Sequence, residues 1–86
     1  SVKTMDIAGN NTVVLYPNPV KDYLKVASEG GIEQVTVFNM IGQKVSEWNE
    51  RGTSLELNLG ILGKGTYLVT VRLEDGNVVN RKIVKM

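Results

Sequence analysis

The chain has 86 residues, with ten basic and nine acidic side chains, a formal net charge of +1 and a hydrophobic content of 42%. A domain of this size buries only about 60–65% of its unfolded surface, so it holds one modest core built from well-packed strands. The balanced charge speaks against a nucleic-acid partner or a basic membrane-surface domain, and the absence of Cys and His excludes disulfides, thiolate or Ser/His nucleophilic sites and ordinary zinc or copper centres.

Residues 1–11 are polar and end in Gly9-Asn10-Asn11, the composition of a linker. Ser1 to Asp6 has neither the apolar core nor the small-residue cleavage site of a signal peptide. Without an initiator methionine, the chain reads as a fragment or processed piece of a longer protein, with any export signal expected upstream. The globular part is expected over residues 12–86, and no apolar run in it approaches the roughly 20 residues that span a bilayer, so no membrane insertion is expected.

Thr12 to Tyr16 reads as a short strand stopped by Pro17-Asn18-Pro19, where two prolines remove backbone donors. Tyr23 to Ala27 is a second strand with Leu24 and Val26 in phase, and Glu29-Gly30-Gly31 is expected to turn the chain. Gln34 to Phe38 follows, with Val35 and Val37 together. Asn39-Met40-Ile41-Gly42 then makes a turn whose glycine suits a left-handed bulge position.

Gln43 to Trp48 returns as the partner strand, and Thr53 to Asn58 places Leu55 and Leu57 on one face. Gly65 to Met86 reads as a hairpin around Asp75-Gly76, with Tyr67, Val69, Val71 and Leu73 in phase and a basic terminal strand. The reading is all-β, an immunoglobulin-like sandwich of about seven antiparallel strands with turn signals every 8–12 residues or so. Its expected core is Leu24, Val26, Val35, Val37, Leu55, Leu57, Tyr67, Val69 and Val71.

Chemical motifs are sparse. Gly63-Lys64-Gly65-Thr66 has the wrong upstream glycine spacing for a phosphate loop, and a strand rather than a helix follows it. Glu47 and Glu50 read as a solvated rim rather than an acid/base pair, since nothing apolar surrounds them to raise a pKa. Glu74, Asp75 and Asn77 lack the spaced carboxylates of a calcium loop and read as turn residues. Trp48 and Tyr67 read as core plugs. No enzyme, cofactor or metal site is expected.

Three blocks nonetheless form a pattern: Tyr16-Pro17-Asn18-Pro19; Val35 to Val45 with Phe38-Asn39-Met40-Ile41-Gly42; and Leu62 to Val71 with Gly65-Thr66-Tyr67, closed by Arg81-Lys82-Ile83-Val84-Lys85. In order, spacing and position the chain strongly resembles the type A C-terminal sorting domain of proteins exported by the type IX secretion system of Bacteroidetes. The resemblance covers residues 12–86. It implies an address label that takes an N-terminally linked cargo through the periplasm and across the outer membrane to the cell surface or medium. In many members a surface sortase then cuts in the preceding linker and attaches the cargo to the surface. Met86 after Lys85 departs from the common basic or polar ending.

The recognition residues expected on this basis are Arg81, Lys82, Ile83, Val84, Lys85 and Met86 on the last strand. Pro17, Asn18 and Pro19, Asn39 and Gly42, and Gly65 and Tyr67 complete the set. A receptor reads such a strand by pairing with its backbone edge, and charges such as Arg81, Lys82 and Lys85 equally guard an edge against self-pairing. The competing reading is an immunoglobulin-like adhesion or carbohydrate-binding module, which requires an exposed aromatic platform. An inert spacer is the weaker third.

Overall fold

The computed structural model describes residues 13–86; the expected linker and Thr12 lie outside them. Six strands follow in order: β1 (Val13–Tyr16), β2 (Tyr23–Asn39), β3 (Lys44–Trp48), β4 (Gly52–Asn58), β5 (Gly65–Leu73) and β6 (Val78–Lys85). All named pairs are antiparallel: β1 with β2, β2 with β3, β4 and β5, and β5 with β6.

The expected count of seven strands is corrected to six, because the second and third expected strands are one. Ser28 to Gly31 does not end the strand; it bends it. A straight strand of 17 residues would reach about 56 Å, whereas the longest dimension of the molecule is 33 Å. The bend shows in the register, which jumps between Ala27 and Ile32 opposite β4. At Gly31 the Glu74 carboxylate occupies the space a Cβ would need, and Glu74 N donates to Gly31 O at 2.8 Å. A side chain at 31 would push that carboxylate away.

On either side of the bend, β2 keeps different company. Its first half lies between β1 and β4, with Val26 opposite both Leu15 and Leu55, and Leu24 opposite Leu57. Its second half lies between β3 and β5, with Val35 opposite Trp48 and Val71, and Val37 opposite Val69. The sheet thus curls until both apolar faces meet in one cluster that includes Leu24, Val26, Val35, Val37, Leu55, Leu57, Val69 and Val71. Period-two alternation puts these residues inward on each strand.

Every expected core position is buried except Tyr67, which is half-buried against the cluster, as is Trp48. The core also takes Val13, Val20, Ile32, Leu59, Leu73 and Ile83. Val20 and Leu59 sit outside any strand, so alternation carries no signal for them.

Both hairpins reverse through the same three-residue loop, a type I turn ending in a left-handed glycine. In the β2–β3 loop Gly42 N donates to Asn39 O at 3.0 Å and Asn39 N to Gln43 O at 2.9 Å, with Gly42 at φ 91°. In the β5–β6 loop Gly76 N donates to Leu73 O at 3.0 Å and Leu73 N to Asn77 O at 2.8 Å, with Gly76 at φ 94°. Positive φ at these positions is what glycine supplies without steric cost.

Candidate recognition surface

The expected recognition residues are far apart in the chain, yet most converge. Tyr67 of β5 faces Asn39 of β2 on one side and Ile83 of β6 on the other. One transverse row therefore joins the second block, the third and the last strand. Two residues on, Gly65 faces Lys85, and Lys85 in turn bridges in parallel to Val20.

The Pro17–Pro19 segment reaches this row through Asn18. Its amide imitates a strand: Val84 N donates to Asn18 Oδ1 at 3.0 Å, and Asn18 Nδ2 donates to Lys82 O at 3.4 Å. Val20 continues the ladder with its backbone. Val20 N donates to Val84 O and Met86 N to Val20 O, both at 2.8 Å. Residues 18–20 thus cover the outer edge of β6 from Lys82 to Met86.

This cover corrects the expectation of an open terminal edge. Unpaired edge amides invite another strand, and here the last four residues of the chain already have partners within the domain. Along β6 the side chains alternate: Ile83 is buried and Lys82, Val84 and Met86 are exposed. Lys85, expected to be an exposed charge, is only 7% exposed, with Nζ donating to Met86 O at 2.9 Å. Its methylene stem joins the inward face while the ammonium reaches a carbonyl. Arg81 is half-buried.

Asn39 organises the neighbouring turn rather than presenting a free amide. Its Oδ1 accepts from Ile41 N at 3.1 Å and Gln43 N at 2.9 Å, and its Nδ2 donates to Gln43 Oε1 at 2.9 Å. Tyr67 likewise ties its hydroxyl to Gly63 O at 2.8 Å. These side chains shape loops that display other residues. Met40 and Ile41, read from the sequence only as turn residues, and Ile61, which carried no sequence signal, stand exposed on those loops.

Several other polar side chains are engaged in ion pairs and turns. Lys44 Nζ lies 2.5 Å from Glu47 Oε1, and that hydrogen bond, followed by the charge of the ammonium, holds the Glu47 carboxyl below its ordinary range. A general acid requires the opposite shift. Asp75 accepts from Asn77 N at 2.9 Å and Asn77 Nδ2 at 3.1 Å, the arrangement of a turn. Arg51 pairs with Glu33 at 3.3 Å and Glu74 at 3.9 Å, and Arg72 with Glu33 at 3.8 Å.

Residues 14–86 match the model of the family described as secretion system C-terminal sorting domain. The chain belongs to this family. As a sorting domain it carries the C-terminal signal of type IX secretion, which implies a linked cargo, interaction with the secretion system and export to the cell surface or the extracellular space. The family is not an enzyme family.

Among solved structures the sorting domain is similar to part of PorZ, described as an essential bacterial surface component of the type-IX secretion system of human oral-microbiomic Porphyromonas gingivalis. The TM-score is 0.67 at 20% identity, over 86% of this chain and 11% of that one. The sorting domain thus spans about a tenth of the length of PorZ. It is also similar to CopC from Methylosinus trichosporium OB3b, with a TM-score of 0.53 at 20% identity, over 86% of this chain and 91% of that one. At these identities the likeness concerns the fold. No curated protein matches the chain.

Proposed function

We propose that residues 12–86 are a non-catalytic export address with the architecture of an immunoglobulin-like β-sandwich, read by the secretion machinery at the end of the molecule where Asn39, Tyr67 and Ile83 share a row. The carrying observation is that convergence: Pro17–Pro19, Asn39–Gly42, Gly65–Tyr67 and the last strand meet although up to 66 residues separate the bonded positions. A signal assembled this way exists only on a folded domain. Reading it therefore couples export to completed folding.

In this reading the cargo precedes residue 12, residues 1–11 link the two, and a surface sortase cuts within that linker after passage through the periplasm. Recognition draws on the exposed members of the set, above all Lys82, Val84, Met86, Pro17 and Pro19. The buried ones, Ile83 and Lys85, hold the strand in place. Against the adhesion reading, Trp48 packs on the core rather than standing exposed as a binding platform requires.

The test fuses residues 12–86 behind a periplasmic reporter in a host with this secretion system. Reporter at the surface or in the medium is the expected result. A reporter that stays periplasmic beside a folded domain, while an established family member exports it, overturns the proposal.

A further inference from the structure

The net charge of +1 averages over two ends of opposite character. At the bend end, where Ile32 faces both Gly52 and Leu73, Glu29, Glu33, Glu50, Glu74 and Asp75 outnumber Arg51 and Arg72, and both arginines pair with Glu33. At the Asn39 end the connections 17–22 and 59–64 come together through the Lys85–Val20 bridge and the 2.6 Å bond from Leu59 N to Asp22 O, and the connection 40–43 leaves β2 there, directly after Asn39 opposite Tyr67. Exposed Lys21, Lys64 and Lys82 stand there, in ion pairs with no described residue. Asp22 is the one carboxylate on those connections.

The same connections carry the most exposed large aliphatic side chains of the described residues: Ile61 at 89%, Ile41 at 79% and Met40 at 59%. Each sits at a loop tip, where it adds almost nothing to the domain's own core. Tyr16 and Tyr23, about half exposed, stand behind them at the end of β1 and the start of β2. Aliphatic tips, lysines around them and tyrosines one step back form the pattern of a surface that enters a bilayer interface.

The cations separate this pattern from a protein-binding patch. Protein interfaces are enriched in Arg and depleted in Lys, whereas the loops of the Asn39 end carry Lys21 and Lys64 and no arginine, Lys82 follows Arg81 on β6, and the paired arginines Arg51 and Arg72 lie at the far end. We infer that the Asn39 end of the sorting domain docks peripherally on an anionic phospholipid bilayer. Met40, Ile41 and Ile61 enter the headgroup boundary, and Lys21, Lys64 and Lys82 lie against headgroup phosphates. The acidic far end points to solvent, which fixes the orientation, and no part of the domain spans the bilayer. The inference goes beyond the sorting reading and does not depend on it.

The test is co-sedimentation of the 86-residue chain with vesicles of phosphatidylcholine containing about one-third phosphatidylglycerol, set against pure phosphatidylcholine. Binding to the anionic vesicles alone is expected, lost when salt is raised to roughly 0.5 M. Lys21→Gln and Lys64→Gln should each weaken it about fivefold. Ile41→Ser combined with Ile61→Ser should abolish it with the unfolding midpoint unchanged, while Glu74→Gln at the far end should leave it intact. Absence of anionic-vesicle binding by the native chain overturns the inference, as does binding that the isoleucine pair does not alter. If the native chain ignores vesicles yet the isoleucine pair blocks reporter export, the tips contact a protein and the lipid assignment is wrong.

Discussion

Asn18 holds Val84 as a neighbouring strand would: the Val84 amide donates to Asn18 Oδ1 at 3.0 Å across 66 residues of sequence. One side chain between β1 and β2 thereby closes the edge of the last strand. Asn18→Ala should expose that edge, leaving Val84 N and Lys82 O to solvent and costing about 1–2 kcal/mol. Hydrogen exchange at the Val84 amide should accelerate well beyond any change in global unfolding. Unchanged exchange there would show that Val20 alone seals the edge.

The two lysines of the last strand should part company on substitution. Lys82 is exposed and Lys85 nearly buried. Lys82→Glu should therefore alter stability by no more than roughly 0.5 kcal/mol, whereas Lys85→Glu buries a carboxylate beside a carbonyl and should cost about 2 kcal/mol or more. Thermal unfolding distinguishes them. Lys82→Glu is consequently the clean probe of recognition, and a reporter that it traps in the periplasm with the domain still folded would place Lys82 in the reading surface.

Leu57 is fully buried opposite Leu24. Leu57→Ala should cost about 2–5 kcal/mol, measured by denaturant unfolding. A loss under about 1 kcal/mol would mean that the first half of β2 and β4 do not pack as described.

Glycines 31 and 42 should respond for different reasons. At Gly31 an added methyl meets only the movable end of Glu74, so Gly31→Ala should displace that carboxylate from Arg51 for about 0.5 kcal/mol. At Gly42 the space is open but φ is +91°, so Gly42→Ala should cost about 1 kcal/mol through backbone strain alone. Comparing the two unfolding midpoints checks the order.

Glu47 should titrate with a midpoint below that of an unpaired glutamate, 4.5, because Lys44 favours its charged form. A lowered folded-state pKa adds stability above the unfolded value, which is lost as pH falls through the folded midpoint. Carboxyl chemical shifts followed by NMR below pH 5 or so give that midpoint, and Lys44→Met should move it upward. High salt should shrink the difference, as befits a surface pair.

Much of this domain was legible without coordinates. Period-two alternation is a local property, since neighbouring side chains on a strand point to opposite faces whatever the strand's partners. Leu24 with Val26, Val35 with Val37, Leu55 with Leu57 and Val69 with Val71 therefore declared themselves as core, and Gly42 and Gly76 declared the loops that only glycine closes. Local rules did not reach further. Whether Ser28 to Gly31 ends a strand or bends it depends on which strands lie beside each half, and burial of Val20 and Leu59 depends on loops folding over the core. Lys85 reads from sequence as one more edge charge. Only the curl of the sheet decides otherwise, because it brings residues 18–20 against the last strand and turns an open edge into a covered one. The same curl sorts scattered charges, nearly balanced along the chain, into a lysine-bearing end and an acidic one.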